Sequence, residues 1–245
     1  MTGPAMDDPQ LAARLGVPQL LAYDVVESTQ DVAHRAAQGG APAGTVIVAN
    51  AQSAGRGRQG RYWHSAPGSG LWFTLIERPP ASDAIELLAL RAGLAIAPAL
   101  DELAAEVVRL KWPNDLYLRR GKLGGILSEA RWRENRLEWV AIGVGINLLQ
   151  PPVVGSAALV PGPSPAEVLL AVVPPLRAAV ARQGVLDQGE MAHFAARDWA
   201  AGRRALAPEG GVVLGITPGG ELRVRGGDGV ERRCRSGSLL LEGDA

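Results

Sequence analysis

The segment from Lys111 to Glu129 reads KWPNDLYLRRGKLGGILSE and decides how the middle of this chain folds. Its apolar runs on either side of a Pro-Asn-Asp turn predict short strands, which longer strands then follow. The predicted strands run over 107–112, 116–118, 122–130 and 137–148. The segment also holds Lys111 and Lys122, the only lysines among 25 basic residues. A compact ammonium can act where a planar guanidinium cannot, so the pair favours a functional site over two lysines scattered by chance.

Strands and helices alternate through the rest of the predicted fold. Further strands are predicted over 19–26, 45–51 and 70–77, and helices over 28–37, 83–106, 166–183 and 188–200. Ser28 is a good N-cap for the first helix, and Pro98 should kink or split the second. After Gly202, short strands separated by Gly-rich turns predict a small β-barrel of roughly 45 residues. The expected division is a tail over 1–18, a main domain over 19–200 and the barrel over 201–245.

The composition argues against several classes of function. The 245 residues include 25 acidic and 25 basic side chains, and this balance disfavours a general binder of nucleic acids or membrane surfaces. Cys234 is the only cysteine and the three histidines are dispersed, so the sequence has no spacing typical of metal ligands. The N-terminus has no signal-peptide pattern, and no apolar stretch reaches the roughly 18 residues of a membrane helix. We therefore expect a cytoplasmic protein with no metal site of its own.

Residues 52–69 are predicted to form a long loop, which is usually a functional feature in a compact domain. Within it, Gly55 to Gly60 reads GRGRQG, a literal GxGxxG. A Rossmann site requires a helix after this motif, whereas the RYWHSAPGSG that follows cannot begin one. Glycine lets the backbone approach an anion, and Arg56, Arg58 and Arg61 supply paired donors. We predict a loop that encloses a phosphate-bearing ligand, with a disordered basic surface loop as the alternative.

Taken together, the motifs of this chain resemble those of the biotin–protein ligases. The matching segments are EST from Glu27, Gln52 with GRGRQGRYW from Gly55, LWFTL from Leu71, KWPND from Lys111, KLGGILSE from Lys122 and GVGINL from Gly143. The resemblance implies an α+β fold in which helices flank a mixed β-sheet, related to class II synthetases, with an SH3-like barrel at the C-terminus. It also implies a monofunctional ligase without a DNA-binding domain.

The resemblance implies a reaction in two steps. Biotin and ATP, with Mg²⁺, would give biotinyl-5′-AMP and pyrophosphate, and a lysine of a biotin carboxyl carrier protein would then take the biotin. It implies no DNA or membrane partner, and it leaves the oligomeric state open, with a homodimer as one option.

Residue roles follow from the match to the motifs. The implied catalytic residues are Lys122, Arg56 and Arg58, which would offset the charges of two meeting anions. The implied biotin contacts are Ser28, Thr29, Gln30, Gln52, Arg56, Gly57, Arg58, Lys122 and Gly125. The implied nucleotide contacts are Arg58, Lys111, Asn114, Asp115 and Asn147. Gln30 replaces an asparagine common in the family.

Several alternatives stay open at this point. Asp115 could pair with a cation or orient the nucleotide, or it could share with Lys111 a purely structural role in the KWPND turn. Trp63 and Trp72 could pack in the ligand pocket or the loop, or they could be ordinary core aromatics. His34, His64 and His193 have no partner pattern and receive no role. A lipoate–protein ligase or octanoyltransferase is the nearest rival function. A nucleic-acid-binding module that uses the arginine loop on phosphates is the rival of another class.

Overall fold

The computed structural model describes residues 10–79, 85–159 and 162–244, which form an α+β fold. Its larger sheet has seven strands in the order β1-β2-β3-β7-β6-β5-β4. β1 and β2 are parallel and the other neighbouring pairs are antiparallel, so the mixed sheet is confirmed. The strands are β1 Leu20–Val26, β2 Val46–Gln52, β3 Gly70–Glu77, β4 Arg109–Lys111, β5 Asp115–Leu118, β6 Gly121–Arg133 and β7 Arg136–Asn147.

Helices cover both faces of this sheet. They are α1 Leu11–Leu15, α2 Thr29–Gln38, α3 Leu88–Ala104, α4 Pro165–Val180 and α5 Gln188–Arg197. α2 packs through Val32 and Ala33 on Ile47 at one face, whereas α3 and α4 cover the other. The strands between them are buried on both sides: alternate residues of β3 such as Phe73 and Trp72 point to opposite faces, and both are almost fully buried.

Two predictions for the helices are wrong in part. The segment predicted as an N-terminal tail contains α1, whose Leu11 and Leu15 are buried where the helix packs on α4. Pro98 does not split α3, which continues past it, because Ile96 and Leu100 on the same helix are fully buried in the core. Residues 1–9 of the predicted tail and 83–84 of the predicted helix lie outside the described residues.

The C-terminal residues form a second, antiparallel sheet of five strands in the order β11-β10-β9-β8-β12. The strands are β8 Arg204–Ala207, β9 Gly211–Ile216, β10 Leu222–Arg225, β11 Glu231–Cys234 and β12 Leu240–Leu241. The sequence pattern missed β8, because only Ala205 of this strand is buried and no apolar alternation marks it. Trp112 Nε1 donates a hydrogen bond of 2.9 Å to Gly220 O, which ties this sheet to the KWPND turn. No helix in the described ranges is long and apolar enough to span a bilayer.

Candidate active site

A cavity of about 440 Å³ opens above the larger sheet, between the N-terminus of α2 and the loop that follows β2. The predicted ligand-binding residues that line it are Ser28, Thr29, Gln30, Gln52, Arg56, Gly57, Arg58, Asn114, Asp115, Lys122, Gly125 and Asn147. The fold thus brings together side chains that are more than one hundred positions apart in the chain. Lys111 is not among the residues that line this cavity.

Glycines form the floor of the cavity at the centre of the sheet. Gly125 of β6 lies opposite Gly145 of β7, and Gly143 shares the same face of β7. A Cβ atom at Gly145 would lie 2.8 Å from the indole of Trp63, and one at Gly125 would lie 3.3 Å from it. Trp72 meets Trp63 edge-on, with 6.4 Å between ring centroids. The bare backbone leaves room for a flat group, and the Trp63 indole lies there.

Polar groups line the cavity beside the N-terminus of α2. The backbone N–H and the Oγ1 of Thr29 both donate to Gln52 Oε1, at 2.8 and 3.1 Å. Gln52 Nε2 donates to Ser65 Oγ at 2.8 Å, and Thr74 Oγ1 donates to Thr29 Oγ1 at 2.9 Å. Ser28, the buried N-cap, completes the group. Because each member is oriented by a neighbour, the network presents its polar atoms in fixed directions.

Gln30, where the resemblance expects asparagine, is held by the sheet. Its Nε2 donates to Ala141 O at 3.0 Å and reaches Leu127 O at 3.5 Å, while its Oε1 lies 3.1 Å from the Thr74 hydroxyl. A Cβ atom at Gly143 would lie 2.8 Å from Gln30 Oε1. The longer carboxamide therefore fills the space above Gly143 and forms a wall of the cavity.

Lys122 and Asp115 form an ion pair in the cavity, with 2.7 Å between Nζ and Oδ1. The pairing of Asp115 with a cation was one of the roles that the sequence left open. The Lys122 N–H donates to Gly155 O at 2.8 Å, and the buried Asn147 donates its Nδ2 to Lys122 O at 3.3 Å. The ammonium lies 5.1 Å from the centre of the Trp63 ring. A fixed backbone under a flexible stem lets the charge shift from Asp115 to an incoming anion.

Arg58 approaches the same turn from the loop. Its Nη1 donates to Asn114 Oδ1 at 3.3 Å, and Asn114 Nδ2 donates to Ile126 O at 2.7 Å, which orients the carboxamide. Burial lowers the pKa of the Arg58 guanidinium from its ordinary value, although the charge of Asp115 opposes this shift. A cation that has already lost part of its hydration binds an anion more strongly than an exposed one.

Arg56 is held by two carboxylates, since its Nη2 lies 2.9 Å from Asp31 Oδ1 and 3.1 Å from Glu129 Oε2. Glu129 Oε2 is also 2.9 Å from His34 Nε2, and Trp139 Nε1 donates to His34 Nδ1 at 3.0 Å. The hydrogen bond from His34 lowers the pKa of the Glu129 carboxyl; burial opposes this, and the charge of Arg56 adds to it. Sequence reasoning assigned no role to these partners of Arg56. Glu129 alone carried a signal, because it ends the KLGGILSE motif.

Lys111 lies apart from the cavity and supports one of its walls. Its buried ammonium contacts the Asp244 carboxylate and lies 5.2 Å from the centre of the Tyr117 ring. Arg203 binds Asp244 at 3.1 Å, and Tyr117, which lines the cavity, stacks on Trp199 with ring centroids 5.1 Å apart. Burial and nearby carboxylates raise the pKa of Tyr117. The position of Lys111 favours the bracing role that the sequence left open over the implied nucleotide contact.

Replacing Lys111 with methionine should lower the free energy of unfolding at neutral pH by about 1–2 kcal/mol, because a charge-assisted hydrogen bond is lost while the stem is kept. Burial by itself raises the pKa of Asp244, but the hydrogen bond and charge of Lys111 bring it below its ordinary 3.8. A depressed carboxylate pKa stabilises the fold above the ordinary value and loses this effect as the pH falls through the lowered one. Urea unfolding of the parent and of Lys111→Met should therefore show a difference in the free energy of unfolding that is smaller at acid pH than at neutral pH. Equal stabilities at neutral pH would contradict the brace.

Comparisons with known proteins point in one direction. Residues 22–147 match the model of the biotin/lipoate A/B protein ligase family. The chain is 43% identical over 134 residues to the bifunctional ligase/repressor BirA of Bacillus subtilis (strain 168). This alignment covers 54% of this chain and 41% of that protein. It is 39% identical over 122 residues to the biotin–[acetyl-CoA-carboxylase] ligase of Paracoccus denitrificans, covering 49% and 50% of the two chains. The matched region is thus half or less of the length of these relatives.

A solved structure is similar over nearly the whole fold. The biotin protein ligase from Aquifex aeolicus in complex with biotin and ATP superposes with a TM-score of 0.75 at 25% identity. The superposition covers 92% of this chain and 99% of that one.

Proposed function

Because the chain belongs to the biotin/lipoate A/B protein ligase family, we propose that it attaches biotin to a lysine of a carrier protein in a reaction driven by ATP. One observation carries the proposal: a single cavity combines a fixed polar network, a glycine floor and the cations Lys122 and Arg58. The network lies over β2 and β3, and the cations lie near β5 and β6. Since neighbouring strands are about 4.8 Å apart, the two groups suit the two ends of an elongated ligand.

The first step joins two anions. A carboxylate oxygen of biotin attacks the α-phosphorus of ATP, the bond to the bridging oxygen breaks, and pyrophosphate leaves with its electrons. Lys122 and Arg58 offset the repulsion between the carboxylate and the phosphate, and they stabilise the charge that develops in the transition state. Mg²⁺ arrives with ATP as part of the substrate. Among the described residues, no group of three or more His, Cys, Asp or Glu side chains is placed to hold a metal ion.

The second step transfers biotin to the carrier. The neutral amine of a carrier lysine attacks the carbonyl carbon of biotinyl-5′-AMP, an amide bond forms, and AMP leaves. The mixed anhydride is reactive, so water must be kept away between the two steps. The loop over residues 53–69 supplies part of the cavity lining, from Arg56 to His64, and is suited to this shielding.

The polar network suits the ureido end of biotin. The Thr29 and Ser28 hydroxyls, together with Gln52, offer donors and acceptors in a pocket whose lining also includes indole rings, glycines and aliphatic side chains. Polar groups left unpaired by a ligand are costly, so such a pocket discriminates against acids that lack a ureido group. This argument favours biotin over lipoate or octanoate.

We assign residues 19–200 to the catalytic domain and 201–245 to an SH3-like barrel that meets the carrier. The antiparallel order of β8 to β12 supports a barrel, and the tie from Trp112 to Gly220 holds this unit beside the KWPND turn. The carrier that fits this reaction is a biotin carboxyl carrier protein of a biotin-dependent carboxylase, located in the cytoplasm.

ATP–pyrophosphate exchange with biotin, lipoate and octanoate in parallel tests the activity. We expect exchange with biotin at least about 100-fold faster than with either other acid, the scale on which unpaired polar groups reject an analogue. A carrier domain should then gain a single biotin at one lysine, as measured by mass spectrometry. Exchange with lipoate or octanoate but not with biotin would overturn the assignment.

A further inference from the structure

We propose that His34 is a positioning residue that, through Glu129, fixes Arg56 and with it the start of the loop over residues 53–69. The catalytic consequence rests on the proposed function, but the anchoring of the loop does not. His34 lies on α2 and Glu129 on β6, so the chain of contacts joins a helix, the sheet and the loop.

The direction of the hydrogen bonds follows from their chemistry. An indole N–H can only donate, so Trp139 Nε1 makes His34 Nδ1 an acceptor, over 3.0 Å. His34 Nε2 therefore donates to Glu129 Oε2, at 2.9 Å. The orientation of this donor fixes the Glu129 carboxylate.

Glu129 and Asp31 then hold Arg56. Both carboxylates contact Arg56 Nη2, so two negative charges surround one positive charge. The Arg56 guanidinium is fully compensated and is not free to attract a phosphate. Arg58, in contrast, contacts the neutral carboxamide of Asn114. The two arginines therefore have different roles: Arg56 anchors the loop, and Arg58 binds the anion.

The anchor extends to the floor of the cavity because the loop folds back on itself. Gly57 N donates to Arg61 O at 2.7 Å, and Trp63 N donates to Gly55 O at 2.9 Å. A Cβ atom at Gly55 would lie only 2.4 Å from Trp63 O, so the two backbone segments are in close contact. Fixing Arg56 therefore also fixes Trp63, whose indole lies on Gly145.

Limited digestion of the ligand-free protein with trypsin measures the anchor, because Arg56, Arg58 and Arg61 are all potential cleavage sites in the loop. Cleavage tracks the population of the open loop when opening is fast. His34→Leu removes the donor to Glu129 and should speed loop cleavage about fivefold, the effect expected for a partly exposed ion-pair network. Glu129→Gln should speed it to a similar extent.

His34→Gln supplies the rescue, since its carboxamide can accept from Trp139 and donate to Glu129, and it should be cleaved at close to the parental rate. His193→Leu is the matched control on α5, where the exposed histidine accepts a hydrogen bond from Arg197 of the same helix, and it should leave the loop rate unchanged. Parental cleavage of His34→Leu and Glu129→Gln would overturn the proposal. Fast cleavage of His34→Gln would mean that His34 holds the loop by packing and not by hydrogen bonding, which would also overturn the proposal. If His34→Leu unfolds, trypsin will also cleave it outside the loop. The rate of loop cleavage in Glu129→Gln then tests the proposal.

A kinetic measurement separates this inference from the proposed function. In pyrophosphate exchange, His34→Leu should raise KM for biotin several-fold with little change in kcat, because a looser loop weakens binding without altering the charges at the phosphate. If the variants show the expected trypsin pattern but the protein shows no exchange with biotin, the anchoring role of His34 is supported and the proposed ligase activity is refuted. If the protein shows exchange with biotin but the variants show no change in loop cleavage, the ligase activity is supported and the anchoring role is refuted.

Discussion

Replacing Lys122 with arginine is expected to lower the rate of biotinyl-5′-AMP formation by about 100-fold, the scale typical of removing one electrostatic stabiliser. The ammonium lies 2.7 Å from Asp115, and in the proposed reaction it moves toward the reacting oxygens when biotin and ATP bind. A guanidinium keeps the charge, but it is wider and planar and can bind Asp115 through two parallel hydrogen bonds. It would therefore stay with the carboxylate. Single-turnover adenylation and pyrophosphate exchange measure the loss.

Two variants act as controls for this experiment. Asp115→Asn removes the competing carboxylate and should restore part of the rate in the double variant with Lys122→Arg, because the guanidinium is then released. Lys111→Arg changes the other lysine of the same segment, and its effect should be on stability, since Lys111 contacts Asp244 outside the cavity. Adenylation by Lys122→Arg at near the parental rate would show that the charge of Lys122 need not be compact or mobile.

Replacing Arg91 with leucine should lower the free energy of unfolding by about 3 kcal/mol or more, the scale of breaking a buried ion pair from one side. Arg91 is 2% exposed, and its Nε donates to Glu190 Oε1 at 3.0 Å. Its guanidinium also donates to the carbonyl oxygens of Arg182, Gln183 and Val185. The variant leaves a buried carboxylate with fewer donors, and it leaves three carbonyl groups without this partner. Urea denaturation measures the loss.

Arg182→Ala is the matched control, because the Arg182 side chain is about half exposed and also reaches Glu190, over 3.2 Å. A pair of this kind contributes about 0–1 kcal/mol, so the control should be mild. Leu186 N donates to Pro218 O at 2.9 Å, just beyond the carbonyl groups that Arg91 holds. Arg91→Leu should therefore also loosen the second sheet, visible as faster amide exchange in β9 and β10. A loss below about 1 kcal/mol for Arg91→Leu would refute the importance of this network.

Much of the local structure could be predicted from the sequence, because its causes are local. Ser28 does accept a hydrogen bond from Gln30 N at the start of α2, as its N-cap position predicted. The turn expected between the predicted strands 122–130 and 137–148 is present, with Glu134 and Asn135 at positive φ. Pro98 does not split α3 because burial of the surrounding helix outweighs one missing backbone hydrogen bond, and burial is not a local property.

For the site, too, the sequence indicated the local features but not the contacts between distant segments. Twelve of the thirteen residues that the motifs implied as ligand contacts line the cavity. Motifs can indicate such residues because a ligand site restricts the residue types and their spacing within a segment. They did not indicate that Arg56 has Asp31 and Glu129 as partners, that His34 orients Glu129, or that Lys111 pairs with Asp244. Each of these contacts joins side chains from distant segments. The sequence around a charged residue does not indicate which residue of opposite charge it will contact.

By itself, the sequence determined the order of most strands and helices, the balanced charge, and the segments that carry the chemistry, since propensity, periodicity and motif spacing act within a few residues of each position. Only the tertiary structure decided what each charge does. It placed Lys122 beside Asp115 in the cavity and buried Lys111 behind it, although the two lysines belong to one short segment. Burial and pairing depend on which strands become neighbours, and these interactions set whether a cation is free to act on a ligand or is used to hold the fold together.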